Sequence, residues 1–473
     1  MSRSFRILSR MTPVLVAALL AGCVVGPDYA PPGIGLPAKW SGADQKTGAL
    51  SVASWWRAMK DPVLDGILET AMAQSLDLEA AKAKIREARA SYRETAGTAF
   101  PGIGADASTG RMKTAPSGAL SSAFQTGMDA SWELDLFGGL KRSREAARYS
   151  ADAAAEDLRA ARVTLAADVV TNYVNARGYQ ARIALARKTA ASQRQTLELT
   201  RSKKEAGAAS ELDVVNAQGQ VAATEANIPE LETALATAVH RLGVLSGGEP
   251  TALAETMRKR KAIPGLPRLP SAGIPAEVMA HRPDVQAAAH RLASATSGIG
   301  IARAARLPSV SLTGAISTSA ASVGDLMKSS TIGWQIGPSV SVPLFNGGRL
   351  AAAEDVAVAK KDEALIAYRQ SVSNALEEVE NSLVSIRNDR QKVAKLSQSA
   401  AAYGRAAEMT RSSYDLGAVS FFDVVATERS HYSAEDSLIS SRVALTLGYV
   451  SLNKALGGGW EAEEARAGAA KTR

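Results

Sequence analysis

The stretch SAFQTGMDASWELDLFGG, residues 122–139, joins a strand-like pattern to a glycine turn and then to a helix. Its side chains alternate between apolar and polar, which is the period of two of a β-strand with two different faces. The apolar set is Phe124, Met128, Ala130, Trp132 and Leu134, and the polar set is Gln125, Asp129, Ser131, Glu133 and Asp135. After Phe137-Gly138-Gly139, a segment without proline runs to about Lys204. A two-faced strand followed by a helix far longer than the usual three or four turns limits what the chain can be.

The same order of features occurs twice in the 473 residues, with the second set 207 to 214 residues after the first. The first set is Asp77, Phe100-Pro101, Leu136-Phe137, Gly207-Ala208, Asp213-Val214-Val215 and Leu242-Gly243. The second set is Asp284, Leu307-Pro308, Leu344-Phe345, Gly417-Ala418, Asp423-Val424-Val425 and Leu456-Gly457. A fixed order with a small drift indicates one duplicated unit with short insertions.

The duplication and the composition divide the chain into six predicted segments. They are a signal peptide at 1–22, a lipidated N-terminal tether at 23–60, a first repeat at 61–247, a Pro-rich linker at 248–274, a second repeat at 275–459 and a polar, disordered tail at 460–473. Alternation predicts strands at about 102–113 and 122–135, and again at about 309–319 and 331–343. Each repeat is therefore predicted to contain a helix, a strand pair and a long helical hairpin.

The long helices are predicted at about Leu140 to Lys204 and Arg349 to Asp415, each free of proline. At 1.5 Å per residue each is roughly 95–100 Å long. A heptad seam follows the second helix through Val372, Leu376, Val379, Leu383, Ile386 and Val393. Helices of this length cannot bury their apolar stripe within one small protein, so we expect them to pack side by side. Glycine turns at Gly207 and Gly417 then lead into return helices.

The first residues have the features of a secretory signal peptide, with a basic start and an apolar stretch from Pro13 to Leu20 that is too short to span a bilayer. Leu20-Ala21-Gly22-Cys23 resembles the bacterial lipobox, and Cys23 is the only cysteine in the chain. The alternative is a chance cysteine near an ordinary cleavage site. Because a sole cysteine cannot form an internal disulfide, we expect Cys23 to be acylated and to hold the chain on a membrane. Val24 after the cysteine, by resemblance to such lipoproteins, favours the outer membrane.

Composition argues against several other classes of function. The net charge is +8, and its densest basic run is Arg258-Lys259-Arg260-Lys261. This run is short, lies in the Pro-rich linker and has no aromatic neighbours, so we interpret it as solvated linker and predict no nucleic-acid partner. Gly298-Ile299-Gly300 lacks the residues of a phosphate loop, and the four histidines are scattered: His240, His281, His290 and His431. No catalytic or metal motif is recognisable, so an enzyme is not predicted and the only cofactor expected is the lipid on Cys23.

The two-faced strands suit a barrel with lipid outside and water inside. Four strands leave two edges, and lipid offers no hydrogen bonds to satisfy them, so the sheet must close with other copies of the chain. Two copies would give about eight strands and a filled interior, whereas three give twelve, the smallest closure with a useful bore. The alternative is a soluble, half-buried sheet under a helical bundle. The barrel prediction describes a mainly α chain that contributes four strands to a conduit.

Four motifs extend this interpretation: Cys23-Val24-Val25-Gly26-Pro27-Asp28-Tyr29, Trp55-Trp56 with Asp61-Pro62-Val63-Leu64, His281-Arg282-Pro283-Asp284-Val285, and Asn453-Lys454-Ala455-Leu456-Gly457-Gly458-Gly459-Trp460. Together they resemble the outer-membrane efflux protein family of TolC and OprM type, in its lipoprotein branch. The resemblance implies a homotrimer whose twelve-stranded β-barrel contacts outer-membrane lipid and continues as an α-helical barrel into the periplasm. It also implies two partners, a periplasmic adaptor protein and an inner-membrane transporter of the RND type.

The family narrows its tube at a periplasmic tip, and the resemblance places that tip at the turns of Gly207 and Gly417. By motif position, Tyr414 matches the gate tyrosine, Asp423 a gate aspartate and Asp213 the corresponding acid of the first copy. A ring of carboxylates attracts cations, and partner binding would shift the tip to an open state.

This match to the family's gate is incomplete. Val419 stands where some members carry a gate arginine, and Ala426 stands where many carry an acid. A salt-bridged lock is therefore not expected, and Phe421 and Phe422 suggest a partly apolar constriction instead.

Both aspartates have a second interpretation. Ser210-Glu211-Leu212-Asp213 and Ser420-Phe421-Phe422-Asp423 each fit a capping box at a helix start, where an acid also complements the helix dipole. On the sequence alone, capping and gating remain open for both residues.

Two classes of function remain. The first is a passive exit duct of a tripartite efflux pump. The second is a lipid-anchored periplasmic coiled-coil adaptor, or a structural lipoprotein, without channel activity. The duplicated strand pairs favour the duct, because an adaptor would show one helical hairpin and no lipid-facing strands. The substrate cannot be inferred from the sequence, since a wide water-filled tube makes few specific contacts.

Overall fold

The computed structural model describes residues 24–41, 53–114, 116, 118–270 and 272–460. The chain divides into two compact units. The sheet unit contains the described parts of 1–34, 83–155 and 287–370, and the helical unit contains the described parts of 35–82, 156–286 and 371–473. Cys23, the predicted signal peptide and residues 461–473 of the predicted tail lie outside the described residues.

The described residues form helices and strands in a fixed order. They are α1 Pro62–Gln74, α2 Leu76–Gly97, β1 Gly102–Thr114, β2 Ala119–Leu134, α3 Gly139–Glu205, α4 Glu211–Leu245, α5 Ala254–Arg258, α6 Pro275–His281, α7 Pro283–Ala304, β3 Ser309–Ala320, β4 Ile332–Ser341, α8 Arg349–Asp415 and α9 Phe421–Ala455. Short 3₁₀ helices lie at Trp55–Met59, Val323–Asp325 and Ser329–Thr331.

These elements lie close to the ranges predicted from the sequence. The largest difference is that the single helix predicted before each strand pair is two helices, α1 and α2 in the first repeat and α6 and α7 in the second. In the sheet, β2 begins at Ala119 instead of 122 and β4 ends at Ser341 instead of 343. β4 ends before Pro343, whose ring has no N–H to donate to a strand partner. Helices α3 and α8 are each 67 residues long. No helix among the described residues has both the length and the apolar character needed to cross a membrane.

The sheet unit contains one antiparallel sheet with the strand order β1-β2-β3-β4. Met128 of β2 pairs with both Ala105 of β1 and Ile316 of β3, and Ile316 pairs in turn with Trp334 of β4. The two edges are therefore β1 and β4. Pro338 lies in β4 opposite Leu312 of β3.

Directly paired residues point to the same side of a sheet, so this register defines two faces. The face called here the apolar face carries Ile103, Phe124, Met128, Trp132, Leu134, Val310, Leu312, Ile316, Ile332, Trp334, Ile336 and Val340. The polar face carries Asp106, Ser108, Gln125, Asp129, Ser131, Glu133, Ser311, Thr313, Ser317, Gln335 and Ser339. The side chains of the apolar face are largely uncovered, with Trp334 76% exposed. A soluble protein rarely presents so large an apolar surface.

Arg142, in the first turns of α3, binds the beginning of the described chain within the sheet unit. Its guanidinium donates to the carbonyl oxygens of Val25 and Gly26 at 3.2 Å each and to the Asp28 carboxylate at 2.7 Å. The Arg142 side chain is only 5% exposed, whereas the Asp28 side chain is 92% exposed. The N–H of Val25 donates to the carbonyl of Phe137 at 3.1 Å. The first residues of the predicted tether are thus fixed in place.

Glycines make room for this segment. A Cβ on Gly26 would lie 2.4 Å from the Cα of Gly300, and a Cβ on Gly300 would lie 2.7 Å from Cγ of Arg142. Gly138 has φ +75°, and a Cβ on it would lie 2.8 Å from Cγ1 of Val24. Within the Gly298-Ile299-Gly300 motif, Gly300 therefore serves close packing against residues 25–26, because any side chain there would push this segment away.

The helical unit has the largest apolar core among the described residues. Its members include Trp55, Trp56, Leu64, Leu68, Met257, Tyr173, Val170, Leu242 and Tyr449. Trp55 and Tyr449 meet edge to face with ring centroids 5.8 Å apart. The core therefore brings together the segment before α1, the middle of α3 and the ends of α4 and α9.

A polar network lies inside this core. Arg177 of α3, with no exposed surface, donates to the carbonyl of Lys259 at 2.8 Å and to the hydroxyl of Tyr173 at 3.0 Å. Tyr173 donates onward to the carboxylate of Asp61, which also pairs with Lys261 at 3.1 Å. Burial alone would raise the pKa of Asp61, but hydrogen bonds from Tyr173 and Lys261 outweigh it and hold that pKa below its usual value.

The basic run in the linker is part of this network. Lys259 contributes its backbone carbonyl and Lys261 its ammonium group. The solvated-linker interpretation therefore fails for the Lys261 side chain, while residues 258–260 are exposed as predicted. Arg258 does remain 78% exposed, in a surface pair with Glu255. The physical reason for the difference is that a buried arginine needs acceptors, and backbone carbonyls of the linker supply them.

Candidate functional site

The helical unit contains two equivalent turns, one between α3 and α4 and one between α8 and α9. In the first, Gly207 has φ +75° and donates to the carbonyl of Lys204 at 2.9 Å, while Ala208 donates to that of Lys203 at 2.7 Å. In the second, Gly417 has φ +78° and the same two bonds recur one repeat later. This is the Schellman ending of a helix, which requires a left-handed residue that glycine provides without strain.

A capping box begins each return helix. The N–H of Ser210 donates to the carboxylate of Asp213 at 2.9 Å, and the N–H of Asp213 donates to the Ser210 hydroxyl at 3.2 Å. Ser420 and Asp423 repeat the arrangement at 3.0 and 3.3 Å. Each box satisfies donors that the helix start leaves without partners. Both aspartates therefore cap the starts of their helices in the structure.

The capping box also sets the charge of Asp423. Hydrogen bonds from the hydroxyl and the backbone N–H of Ser420 lower the pKa of the Asp423 carboxyl below its ordinary value. The carboxylate is thus ionised throughout the neutral range. A carboxylate that caps its own helix can still present negative charge to solvent, so the gate role remains a prediction for Asp213 and Asp423.

Tyr414 and Phe421 form the apolar centre of the tip. Tyr414 is 5% and Phe421 is 6% exposed, and their rings meet edge to face with centroids 6.0 Å apart. They pack with Leu197, Ala217, Val221, Val214 and Val424. This small core holds the two hairpin turns together within one chain.

Tyr414 also has polar contacts to α3. Its hydroxyl lies 3.2 Å from that of Thr200, and the ammonium group of Lys203 lies 3.9 Å from the centroid of its ring. Lys203 also donates to the Tyr414 carbonyl. The predicted gate tyrosine is therefore a link between α3 and α8 inside the chain.

The two phenylalanines predicted to form an apolar constriction have different environments. Phe422 is 77% exposed and Leu416, next to Gly417, is 86% exposed, whereas Phe421 is buried. Phe421 serves packing because, at the first turn of α9, its position faces the Tyr414 ring. Only Phe422 of the pair has a free apolar surface that other copies of the chain could meet.

A buried ion pair above the tip was missed from the sequence. Glu428 of α9, with its side chain 8% exposed, pairs with Arg411 of α8. Arg411 also donates to the Ser192 hydroxyl, and the Thr196 hydroxyl lies 3.4 Å from the Glu428 carboxylate. These contacts tie α3, α8 and α9 to one another.

A comparison of equivalent positions in the two repeats indicates this ion pair. With the offset between Gly207 and Gly417, the first-copy counterpart of Glu428 is Gln218. Because Glu428 is charged and Gln218 is not, the ion pair with Arg411 belongs to the second copy alone and is not needed by the scaffold that both copies share.

No group of three or more His, Cys, Asp or Glu residues in the described part of the chain could hold a metal ion. The arrangement offers a two-faced sheet and two capped helical turns around a small apolar core.

The comparisons with known proteins agree with this geometry. The family model described as outer membrane efflux protein matches residues 67–248 and 274–458, one match in each predicted repeat. The chain belongs to the outer membrane efflux protein family.

Individual relatives are similar over almost the whole chain. Nodulation protein T of Rhizobium leguminosarum bv. trifolii is 34% identical over 461 residues, covering 96% of this chain and 98% of that protein. The cation efflux system protein CusC of Escherichia coli O6:H1 is 30% identical, covering 96% and 99%. The solved structure of the outer-membrane channel OprN is 33% identical with a TM-score of 0.87, covering 93% of this chain and 100% of that one.

The family resemblance and the fold class predicted from the sequence are confirmed. The chain is mainly helical with a four-stranded sheet, and channels of this family are trimers in which a β-barrel continues as a helical barrel. They work with adaptor and inner-membrane transporter partners. These homologues are efflux channels of the outer membrane, not enzymes.

Proposed function

We propose that this protein is the exit duct of a tripartite efflux pump, passively conducting substrates across the outer membrane. The observation that carries the proposal is the sheet, whose apolar face is continuous across all four strands while its other face is polar. A sheet of this kind has lipid on one side and water on the other.

The edges of the sheet support closure by three copies. β1 and β4 have no further strand beside them within the described chain. Unpaired strand edges in hydrocarbon cost several kcal/mol for each unsatisfied group, so another copy must supply the neighbour. Twelve strands from three copies are the smallest closure that leaves an aqueous bore, since about eight strands fill their interior with side chains.

The apolar face has a height that fits a membrane. It extends along β2 from Leu134 to Phe124, which is about 33 Å of strand at about 3.3 Å per residue. Strands tilted by about 40° would give an apolar band of about 25 Å, which is the usual height in outer-membrane barrels. Ile316 and Trp334 then lie near the middle of the band.

The proposed partners follow from the family and from the tip. A periplasmic adaptor and an inner-membrane transporter, in our proposal of the RND type, would deliver substrate to the tip formed by the two turns. The exposed Phe422 and Leu416 are apolar surfaces at that tip. The nature of the substrate is left open because the polar face offers no enclosed site for a particular molecule.

We also propose that Cys23 carries a covalent lipid that anchors the chain in the outer membrane. Arg142 and the Gly300 position hold residues 24–28 against the sheet unit. Phe137, whose carbonyl accepts from Val25, follows β2 closely in the chain, so the acyl group would enter the membrane beside the apolar face. The alternative of an adaptor or structural lipoprotein gives no account of that face.

Single-channel recording tests the proposed function. We expect the purified full-length protein in planar bilayers to conduct ions, weakly in the resting state and more after the tip is opened. A preference for cations is expected because Asp106, Asp129 and Glu133 lie on the polar face. Bilayers that contain the protein in its folded, membrane-inserted form and pass no current would refute the duct.

Substitution of Asp423 tests whether its carboxylate acts as a gate charge in addition to capping α9. We expect Asp423→Ala to increase resting conductance and antibiotic leakage into cells severalfold, because it removes carboxylates that would face one another at the tip. It also removes half of a capping box, which costs roughly 1 kcal/mol of helix stability.

Ser420→Ala is the matched control, since it removes the hydroxyl of the same box and keeps the carboxylate. We expect this variant to lose a similar amount of thermal stability without leaking. Equal leakage from both variants, or leakage from neither, would leave Asp423 as a cap alone.

A further inference from the structure

The hairpin of β1 and β2 extends past the rest of the sheet. The pairing of β2 with β3 ends at Phe124 and Ala320, whereas β1 and β2 remain paired as far as Thr114 and Ala119. Arg111, paired with Ser122, and Lys113 are in this projecting part. The chain enters β1 from α2 and leaves β2 into α3, so the projecting turn lies at the end of the strands away from both helices.

Arg111 and Lys113 lie on the same side as the apolar face. Thr109 pairs with Phe124, a member of that face, and Arg111 and Lys113 follow it at intervals of two. Successive residues on one face are about 7 Å apart along a strand. The two cations therefore lie roughly 7 and 13 Å along the strand beyond the end of the apolar band, or about 5 and 10 Å in depth at a tilt of about 40°, which is the level of lipid headgroups and not of hydrocarbon.

The charge of this surface is uncompensated. From 107 to 128 the sequence contains Arg111 and Lys113 and no acidic residue. Both side chains are exposed, and neither has an ion-pair partner in the part of the chain that the structure describes. The nearest acid of the hairpin toward the helices, Asp106, pairs with Gly127 and so belongs to the polar face. Two free cations beside an apolar surface favour an anionic amphiphile.

We propose that Arg111 and Lys113 bind the phosphate-bearing headgroup of an outer-leaflet lipid, whose acyl chains lie along the apolar face. This inference rests on the proposed function, because it requires the apolar face to be in the outer membrane with the hairpin at the external surface. The site is repeated once in each copy of the chain. It would fix the depth of the barrel in the membrane.

Lipid binding by the full-length protein in detergent micelles tests the site. The probe is diphosphoryl lipid A, titrated by native mass spectrometry beside fully dephosphorylated lipid A. We expect Arg111→Gln/Lys113→Gln to lower the affinity for the diphosphoryl form about twenty-five-fold, from about fivefold for each cation at a charged membrane surface. The dephosphorylated lipid should bind weakly and equally to all variants.

Lys328→Gln is the matched control. Lys328 lies in the loop between β3 and β4, near the same end of the sheet, but its charge is already paired with Asp325. Its loss should leave the affinity unchanged, and Arg111→Lys/Lys113→Arg should retain binding. An unchanged affinity in the double glutamine variant, or an equal loss in the Lys328 variant, would overturn the lipid site.

Conductance measurements distinguish a failure of the proposed lipid site from a failure of the proposed exit duct. The double glutamine variant should still conduct, because neither residue is on the polar face. A wild-type protein that binds the phosphorylated lipid selectively but passes no current would refute the duct and keep the site, whereas normal current without selective binding would refute the site alone.

Discussion

Replacing Ile316 with arginine is expected to abolish outer-membrane insertion and channel activity. Ile316 lies in β3 on the apolar face, between Met128 and Trp334, and half of its surface is exposed. It is near the middle of the proposed band, where an arginine facing lipid costs about 2–4 kcal/mol in each chain. Three copies would add this cost three times around one barrel. The measurement is the amount of protein in outer-membrane fractions, together with the conductance of what is purified.

Ala315→Arg is the control for this substitution. Ala315 is the preceding residue of the same strand, pairs with Asp129 and Gln335, and so belongs to the polar face. An arginine there would meet water and the Asp129 carboxylate, so we expect normal insertion and a weaker preference for cations. If both variants inserted equally well, or if only Ala315→Arg failed, the assignment of the two faces would be wrong.

Replacing Arg177 with methionine is expected to destabilise the helical unit by about 1–3 kcal/mol, because it leaves buried acceptors, among them the Lys259 carbonyl, without their donor. The Lys259 carbonyl and the Tyr173 hydroxyl would lose their donor, and Asp61 would lose the positive charge that reaches it through Tyr173. Thermal unfolding followed by tryptophan fluorescence is suitable, since Trp55 and Trp56 lie in the same core.

Arg187→Met gives the comparison on the same helix. Arg187 is 64% exposed and pairs with Glu232 at the surface, and an exposed pair contributes about 0–1 kcal/mol. We expect its unfolding temperature to stay close to that of the wild type. A similar small change for Arg177→Met would show that the network is not essential to the core.

The strands and their faces could be predicted in detail because the alternation of side chains is visible within each short stretch of sequence. A period of two along each strand determines which side chains share a face, so Met128, Trp132 and Leu134 are predicted on one side of β2, as the pairing shows. The glycine turns at both ends gave the bounds of α3 and α8 within one residue. Capping at Asp213 and Asp423 was also readable, since both partners of a capping box are three residues apart.

Contacts between distant segments could not be predicted in this way. Arg142 reaches residues 24–28 over more than a hundred positions, and nothing distinguishes it in the sequence from the neighbouring Lys141 and Arg144. The burial of Phe421 but not Phe422 depends on the direction in which α9 leaves its turn. Arg177 is buried because carbonyl groups of the linker happen to accept from it, which no spacing in the sequence indicates.

The two copies have also diverged at the tip. Both retain the glycine turn and the capping box, which any helical hairpin of this shape needs. Only the second copy has the Tyr414–Phe421 contact and the Arg411–Glu428 pair. The shared features maintain the scaffold, and we therefore expect the residues particular to α8 and α9 to control the opening of the tip.

The number of chains in the purified assembly tests the central claim most directly, because one chain supplies only four strands of a wall that must be closed. Native mass spectrometry of the detergent-purified full-length protein is expected to give one species containing three copies. Folded single protomers as the only species would contradict the account.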